Sequence, residues 1–291
     1  MIKGSIVALI TPFNEDGSVN FDKLGELLEM HVENGTDGIL VLGTTGESST
    51  MSHEEDDAVV EYTIQKINHR LPVVVGAGSN STQTAVEKSV KYEKMGADYL
   101  LIITPYYNKA NEGGMIAHFT TVADAVNIPV IMYNVPGRTG CKLSENAVKV
   151  LSQHPNICGI KEASGDIGYA MNISRYLNDD FVMYSGNDDM VIPILSAGGQ
   201  GVISVFANTN PKECHDMVAS WLDGDLKTGL AIQQKYLDYI HALFYEVNPI
   251  PVKEALNLMG KEVGGYRLPL YPMSDANRER LKEEMKKVGL I

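Results

Sequence analysis

Lys161, in the stretch "CGIKEASGD" (158–166), closes an apolar run that otherwise has the composition of a buried strand. Lysine is among the residues least often fully buried, so Lys161 turns to solvent, pairs with Glu162, or is held inside for chemistry. Burial disfavours the ammonium form and lowers its pKa, which makes a neutral amine accessible. Such an amine attacks carbonyl carbons and forms a Schiff base, an electron sink for carbanion chemistry.

Hydroxyl, phenol and guanidinium groups follow the other apolar runs of the chain. These groups belong to Thr44, Thr45, Tyr106, Tyr107, Tyr133 and Arg138, and Gly186 and Ile203 stand at the ends of two further runs. Phenols can transfer protons, an arginine fork suits a carboxylate, and the small residues of "GTTG" can present backbone N–H groups to an anion. No histidine and no carboxylate pair joins them in a metal-ligand spacing. The residues therefore predict a lyase or aldolase that acts on small keto acids without metal or cofactor.

Each of these residues alone leaves its role open. Tyr106 and Tyr107 also suit packing, and Arg138 also suits a solvated loop. The seven histidines fall mostly in helical segments, where a structural or solvated role fits them. The chemical interpretation therefore depends on the elements that bring these side chains together.

Eight short runs rich in β-branched residues alternate with segments of helical periodicity. They cover 5–11, 37–43, 72–78, 98–105, 129–136, 158–164, 180–186 and 200–206. The first helical segment places Leu24, Leu27, Leu28 and His31 on one face and ends at Gly35, and the second begins after Ser52. This order predicts a (β/α)8 TIM barrel, whose active site lies at the carboxyl ends of the strands.

A doubly wound open sheet is the rival fold. Its dinucleotide fingerprint is incomplete here, because "GAGSNS" (76–81) has Ser81 where the third glycine belongs. From Gly224 onward the strands stop, and "LKTGLAIQQKYLDYIHALFYEV" and "PIPVKEALNLMG" have helical periodicity. We therefore expect a catalytic barrel over 1–223 and a C-terminal helical region over 224–291.

The composition of the chain limits the kinds of partner that it can bind. The 291 residues include 24 Lys and Arg against 37 Asp and Glu, a net charge of −13. Such a surface is repelled by nucleic acid and by anionic membranes. The three cysteines are scattered, and no apolar run approaches the ~20 residues of a membrane span. We expect a soluble cytoplasmic protein with no nucleic-acid or membrane partner.

Several consecutive motifs together resemble the dihydrodipicolinate synthase family over essentially the whole chain. They are "GTTGES", "PYYN", "YNVPGRTG", "GIKEASGD", "SGNDD", "GVISV" and "NPIPVK" (248–253). The resemblance implies condensation of pyruvate with L-aspartate 4-semialdehyde to give 4-hydroxy-tetrahydrodipicolinate, the first committed step of diaminopimelate and lysine biosynthesis. It implies no cofactor or metal.

The resemblance also implies residue roles. Lys161 forms the Schiff base with pyruvate. Tyr133 is the acid/base, linked to Thr44 and Tyr107 in a hydroxyl relay. Tyr107 reaches into a neighbouring subunit's site, which implies a homodimer or a homotetramer built from two such dimers.

Four further residues are implied to bind substrate. Thr45 holds the pyruvate carboxylate, Arg138 binds the carboxylate of the semialdehyde, and Gly186 and Ile203 line the site with backbone groups. The alternative activity is that of an N-acetylneuraminate lyase or a 2-keto-3-deoxy sugar acid aldolase, relatives that generally lack this arginine. A barrel that binds a metabolite without catalysis is a third hypothesis, but Lys161, Tyr133 and Thr44 are all present.

Members of the family that are inhibited by L-lysine hold it at a dimer interface. The matching positions here are Ser48, His53, Asn80 and Tyr106. Two positions depart from that pattern: Asp56 stands where a histidine is usual, and Thr84 where a glutamate meets the ligand's ammonium. Losing a charge-assisted hydrogen bond costs roughly 1.5 to 3 kcal/mol, so the sequence predicts weak or absent inhibition unless Asp56 compensates.

Overall fold

Eight parallel strands close into a barrel in chain order, with β8 paired to β1. The structure is a computed structural model that describes all 291 residues. The strands are β1 (Gly4–Ala8), β2 (Gly38–Val41), β3 (Val73–Gly76), β4 (Tyr99–Ile103), β5 (Val130–Asn134), β6 (Ile157–Glu162), β7 (Val182–Ser185) and β8 (Gly201–Ser204). Each overlaps one of the predicted apolar runs, so the predicted TIM barrel is confirmed.

Twelve helices accompany the strands. They are α1 (Phe21–Glu33), α2 (His53–Ile67), α3 (Thr82–Met95), α4 (Glu112–Asp124), α5 (Pro136–Thr139), α6 (Glu145–Leu151), α7 (Ile167–Ser174), α8 (Val191–Ser196), α9 (Pro211–Leu222), α10 (Leu226–Ala242), α11 (Ile250–Leu258) and α12 (Asp275–Lys287). Ser52 caps α2 through a reciprocal pair of hydrogen bonds with Glu55, as the sequence indicates. The predicted face of α1 is buried.

Apolar side chains fill the barrel on both sides of its sheet. A cluster of 13 buried residues, among them Tyr133, Tyr184 and Ile203, occupies the interior. A larger cluster of 65 buried residues lies mainly between the strands and the surrounding helices. The interior is thus a packed core rather than a pore, which leaves the mouth at the strand ends as the place for a site.

The helices beyond α9 pack back onto the barrel. α10 lies against α9, and α12 contacts both α10 and α11. Leu256, Leu281 and Met285 from this region belong to the same buried cluster as the outward-facing strand residues. The sequence predicts the first two of these helices but not α12, and the division at 223/224 stays a prediction. None of the helices combines the length and apolar character that crossing a membrane requires.

Candidate active site

Lys161 and Tyr133 occupy paired positions on the neighbouring strands β6 and β5. The Lys161 ammonium nitrogen Nζ lies 4.3 Å from the centroid of the Tyr133 ring. The Lys161 side chain makes no ion pair, and the residue is 6% exposed. Neither solvent nor Glu162 takes up its charge, so the structure favours the third interpretation of this lysine, a group held inside for chemistry.

The environment of Lys161 lowers its pKa to about 7. Burial is the main cause; the negative charge of Asp188 opposes it, and the positive charge of Arg138 adds to it. A substantial fraction of the side chain is therefore a neutral amine at physiological pH. This is the state that a nucleophilic lysine requires.

The pKa of Tyr133 is shifted in the opposite direction. Burial raises the pKa of its phenol to about 12, while the charge of Arg138 and a hydrogen bond with Thr44 offset part of the rise. The phenol is thus protonated near neutral pH and is available as a proton donor next to the amine. A neutral amine and a protonated phenol side by side are the two groups that imine formation needs.

A cavity of about 250 Å3 opens above this pair at the carboxyl ends of the strands. Eight of the residues that the sequence singled out line it: Thr44, Thr45, Ser48, Tyr106, Tyr133, Arg138, Lys161 and Gly186. A space of this size suits a small molecule such as a keto acid. Among the His, Cys, Asp and Glu side chains, no group of three or more is placed to hold a metal ion.

Four of the singled-out residues lie outside this cavity. Tyr107 is 88% exposed on the loop after β4, and Ile203 is packed in the barrel interior below the mouth. His53 is the exposed first residue of α2, and Asn80 lies on the loop before α3, where its carbonyl accepts a hydrogen bond from Asn108. Their predicted roles stay predictions.

Gly186 follows β7 and lies against the lysine. A methyl group on its Cα would stand 2.6 Å from Cβ of Ala163 and 3.1 Å from Cε of Lys161. Neither distance leaves room for a side chain, because Ala163 and Lys161 are themselves held by β6 and the turn after it. Gly186 is therefore required for the Lys161 side chain to keep its course into the cavity.

Asp188 is a buried carboxylate that the sequence reasoning did not single out. It accepts hydrogen bonds from Ser204 Oγ at 2.5 Å and from the backbone N–H groups of Val205 and Phe206 at 2.9 and 3.0 Å. Burial raises its pKa in spite of these hydrogen bonds. Asp188 thus fixes the turn after β8. Its negative charge also opposes the lowering of the Lys161 pKa by burial.

A buried ion pair holds the loop that carries Thr44 and Thr45. Lys253 of α11 donates to Glu47 Oε1 at 2.8 Å, and both side chains are at most 1% exposed. Glu47 has a left-handed backbone, with φ of 55°, directly after the turn at Thr44–Gly46. Burial lowers the pKa of Lys253, and the carboxylate of Glu47 offsets part of that effect. The C-terminal helices therefore brace the loop from behind.

Asn248, between α10 and α11, joins two predicted binding residues. Its side-chain Nδ2 donates to Thr45 Oγ1 at 2.9 Å, and its backbone oxygen accepts a longer hydrogen bond, 3.4 Å, from Arg138. In the sequence, Asn248 and Lys253 stand out only as part of the family pattern "NPIPVK" (248–253), which implies no role for either of them. No strand-end rule points to them, since both come from the region after the barrel.

A second ion pair lies at the outer edge of the cavity. Lys88 of α3 donates to Asp56 Oδ2 at 2.9 Å, and the Asp56 side chain is 1% exposed. Burial raises the pKa of Asp56, and the hydrogen bond from Lys88 opposes the rise. Lys88, Ser48 and Tyr106 all line the cavity, so this pair stands beside the residues that match the lysine-sensitive pattern.

The fold and the site define a (β/α)8-barrel enzyme with a buried amine and a phenol side by side at the mouth of the barrel. Residues 1–288 match the model of the dihydrodipicolinate synthetase family. The chain belongs to that family.

Individual relatives agree. The 4-hydroxy-tetrahydrodipicolinate synthase of Acetivibrio thermocellus is 52% identical over 288 residues, which cover 99% of this chain and 98% of that protein. The crystal structure of the chloride-inhibited dihydrodipicolinate synthase of Acinetobacter baumannii complexed with pyruvate superposes with a TM-score of 0.98 at 42% identity, covering 100% of both chains. The dihydrodipicolinate synthase of Cyanidioschyzon merolae with lysine bound has a TM-score of 0.96 at 38% identity, covering 100% of this chain and 99% of that one.

Proposed function

We propose that the chain condenses pyruvate with L-aspartate 4-semialdehyde to give 4-hydroxy-tetrahydrodipicolinate. The observation that carries the proposal is the buried Lys161 amine, with a pKa lowered to about 7, beside the protonated phenol of Tyr133. The family match over residues 1–288 and the pyruvate complex of a 42% identical relative support the choice of substrates.

The first half of the reaction forms the imine. The neutral Lys161 amine attacks the ketone carbon of pyruvate, and Tyr133 delivers the proton with which the oxygen leaves as water. The Thr45 hydroxyl and the backbone of its loop hold the pyruvate carboxylate. Loss of a proton from the pyruvate methyl group then gives the enamine, because the protonated imine accepts the electron pair of the broken C–H bond.

The second half forms the carbon–carbon bond. The enamine carbon attacks the aldehyde carbon of the semialdehyde, while the guanidinium of Arg138 holds that substrate's carboxylate in a bidentate geometry. The semialdehyde's amine then attacks the imine carbon and expels the Lys161 amine, which closes the ring and restores the free enzyme. Proton transfers along Thr44, Tyr133 and Tyr107 accompany these steps in the proposal.

The proposal includes an assembly. Tyr107 is 88% exposed and has a left-handed backbone, with φ of 72°, so its phenol projects from the chain instead of packing on it. We propose that it completes the site of a second copy, in a homodimer or a tetramer of two dimers, within the cytoplasm. Sedimentation analysis tests the assembly, and a species that is monomeric and fully active would contradict it.

Regulation by L-lysine is proposed to be weak or absent. A relative of 38% identity has been solved with lysine bound, and Ser48, His53, Asn80 and Tyr106 match the sensitive pattern. In this chain, Lys88 already neutralises Asp56, so that carboxylate is not free to replace the glutamate whose position Thr84 occupies. The Lys88–Asp56 contact therefore supports the proposal that Asp56 does not compensate for the missing glutamate.

The decisive experiment is turnover of pyruvate with L-aspartate 4-semialdehyde, coupled to the next reductase of the pathway and followed as NADPH loss. Turnover is expected to require both substrates, with no cleavage of N-acetylneuraminate by the same preparation. Activity on the sugar acid alone would move the protein to the lyase branch. Inactivity on both substrates would favour a barrel that only binds a metabolite.

A further inference from the structure

Asn248 holds the Thr45 hydroxyl from a distance of 203 residues along the chain. Its side chain is part of the cavity wall, and the residue is only 5% exposed. The hydrogen bond runs from the amide nitrogen Nδ2 to Thr45 Oγ1 and measures 2.9 Å. It is the only side-chain hydrogen bond of Thr45 within the protein.

The direction of this hydrogen bond determines what Thr45 can offer to a ligand. A threonine hydroxyl has one hydrogen to donate and two lone pairs to accept with. Because Nδ2 donates, Oγ1 acts as the acceptor in this contact and its own hydrogen stays free. No protein group takes up that hydrogen, so it is available to an acceptor in the cavity. A carboxylate, which can only accept, is the complementary ligand.

The other end of the Asn248 amide has no partner within the protein. Its oxygen Oδ1 is buried and has no hydrogen-bond partner. Asn257, on the same C-terminal segment, is used differently: its oxygen accepts from Val263 N–H and its nitrogen donates to the Gly264 carbonyl. A structural asparagine thus satisfies both ends with backbone. Asn248 satisfies only the end that touches Thr45, and a buried polar atom left unpaired in a native protein calls for a reason.

We propose that Asn248 is a positioning residue that fixes the Thr45 hydroxyl as a hydrogen-bond donor to the carboxylate of the first substrate. The proposal rests on the proposed function, in which that carboxylate belongs to pyruvate. The backbone oxygen of Asn248 also contacts Arg138, so one residue touches both of the groups assigned to substrate carboxylates. Asn248 acts through Thr45 and does not take part in the chemical steps.

The test compares Asn248→Ala and Asn248→Asp with Asn257→Ala as the matched control. Losing the Nδ2 contact is expected to raise the KM for pyruvate about five- to tenfold, the effect of one hydrogen bond, with kcat within about twofold. Asn248→Asp is expected to raise the KM for pyruvate further. A carboxylate can only accept from the Thr45 hydroxyl, so the hydroxyl hydrogen would no longer be free for the substrate. The added negative charge also repels the anionic substrate. Asn257→Ala is expected to lower the melting temperature and leave this KM unchanged.

A double-mutant cycle separates positioning from general damage. In a Thr45→Val background the hydroxyl is absent, so Asn248→Ala is expected to change the pyruvate KM by less than twofold there. An Asn248→Ala effect that persists in that background would show that Asn248 acts elsewhere. Where Asn248→Ala does not fold, Asn248→Leu, which has a similar shape and no donor, carries the same cycle.

Two further outcomes are informative. Unchanged pyruvate KM in Asn248→Asp would overturn the proposal, since it would mean that the amide accepts from Thr45 or has no influence on it. If the unmutated enzyme turns over neither pyruvate nor semialdehyde, the proposed function fails before Asn248 is tested. Failure of the inference alone therefore appears only in an enzyme that is active on both substrates.

Discussion

Gly186 and Lys161 lie so close together that a methyl group on Gly186 would stand 3.1 Å from the lysine's Cε. The amide of Gly186 also donates to the carbonyl of Glu162 at 2.7 Å, which fixes the glycine beside β6. The absence of a side chain at one position thus sets the path of the reactive side chain at another.

Gly186→Ala is expected to impair imine formation more than folding. The added methyl group must displace the Lys161 side chain or Ala163, and a displacement of about 1 Å at a reacting group can cost on the order of 100-fold in rate. The measurement is the rate at which borohydride traps a pyruvate adduct, followed by mass spectrometry. Gly137→Ala, where a methyl group meets nothing within 4 Å, is the matched control. Equal trapping rates in the two variants would contradict the expectation.

The rate of imine formation is expected to rise with pH and to level off above Lys161's pKa of about 7. Only the neutral amine attacks the ketone, and its fraction grows from roughly one tenth at one pH unit below the pKa to nine tenths at one unit above. Single-turnover trapping of pyruvate between pH 5.5 and 9 checks this. The adduct is expected on Lys161 alone; an adduct on another lysine would mean that the nucleophile is misplaced.

Lys161→Met is expected to stabilise the fold while abolishing catalysis. The folded-state pKa of Lys161, about 7, lies below the ordinary lysine value of 10.5, so between about pH 7 and 10.5 the unfolded chain binds a proton that the folded chain does not. This destabilisation is complete below pH 7 and disappears as the pH rises towards 10.5. Its size is about 3 to 6 kcal/mol from the shift of the pKa.

The comparison is made by urea denaturation of both proteins at pH 7 and pH 9. The advantage of Lys161→Met is expected to be larger at pH 7. Lys149→Met, at an exposed position on α6, controls for the loss of a positive charge. An advantage that grows with pH would show that the pKa of Lys161 is not depressed.

Lys253→Met is expected to destabilise the protein by about 3–5 kcal/mol, since it leaves the buried Glu47 carboxylate without its partner. Glu47→Gln combined with Lys253→Met is expected to recover part of that loss, because no buried charge remains. Lys287→Met removes a lysine that is 63% exposed and paired with Glu284, and a change within about 1 kcal/mol is expected there. Urea midpoints measure all three, and a similar small effect at both lysines would contradict a buried ion pair.

L-lysine is expected to inhibit weakly or not at all at concentrations comparable to those of the substrates. Thr84→Glu restores a carboxylate for the ligand's ammonium and is expected to lower the half-inhibiting concentration more than tenfold. Thr84→Gln is the matched control with the same shape and no charge. Strong inhibition of the unmutated enzyme in a steady-state titration would contradict this expectation and would mean that Asp56 compensates for the missing glutamate in spite of its contact with Lys88.

The sequence predicts the barrel well because its strands are buried on both faces, which leaves short, continuous apolar runs. Helix α12 was not predicted, since only Leu281 and Met285 are buried in a segment that is otherwise mostly charged or polar. Two apolar residues give too little periodicity to distinguish a helix from a solvated tail.

Residues of the candidate site could be predicted from the sequence only where they stand at the end of a strand, because strand ends converge in a barrel. Lys161, Tyr133 and Thr45 stand at or after strand ends, and strand ends converge in a barrel. Asn248 and Lys253 meet Thr45 and Glu47 across more than 200 residues, through helices whose docking no local pattern encodes. Asp188 follows the end of β7, but its carboxylate is engaged by Ser204 and the backbone of Val205 and Phe206, contacts that the sequence does not indicate.

The contact between Lys253 and Glu47, which are more than 200 residues apart in the chain, has a consequence for the order of events during synthesis. The last strand ends at Ser204, so a growing chain can close its sheet before Asn248 and Lys253 have left the ribosome. Until they arrive, Glu47 has no cation to face and the turn at Thr44–Gly46 has no support from behind. The nascent barrel is thus expected to acquire its closed sheet first and the supported turn at Thr44–Gly46 last.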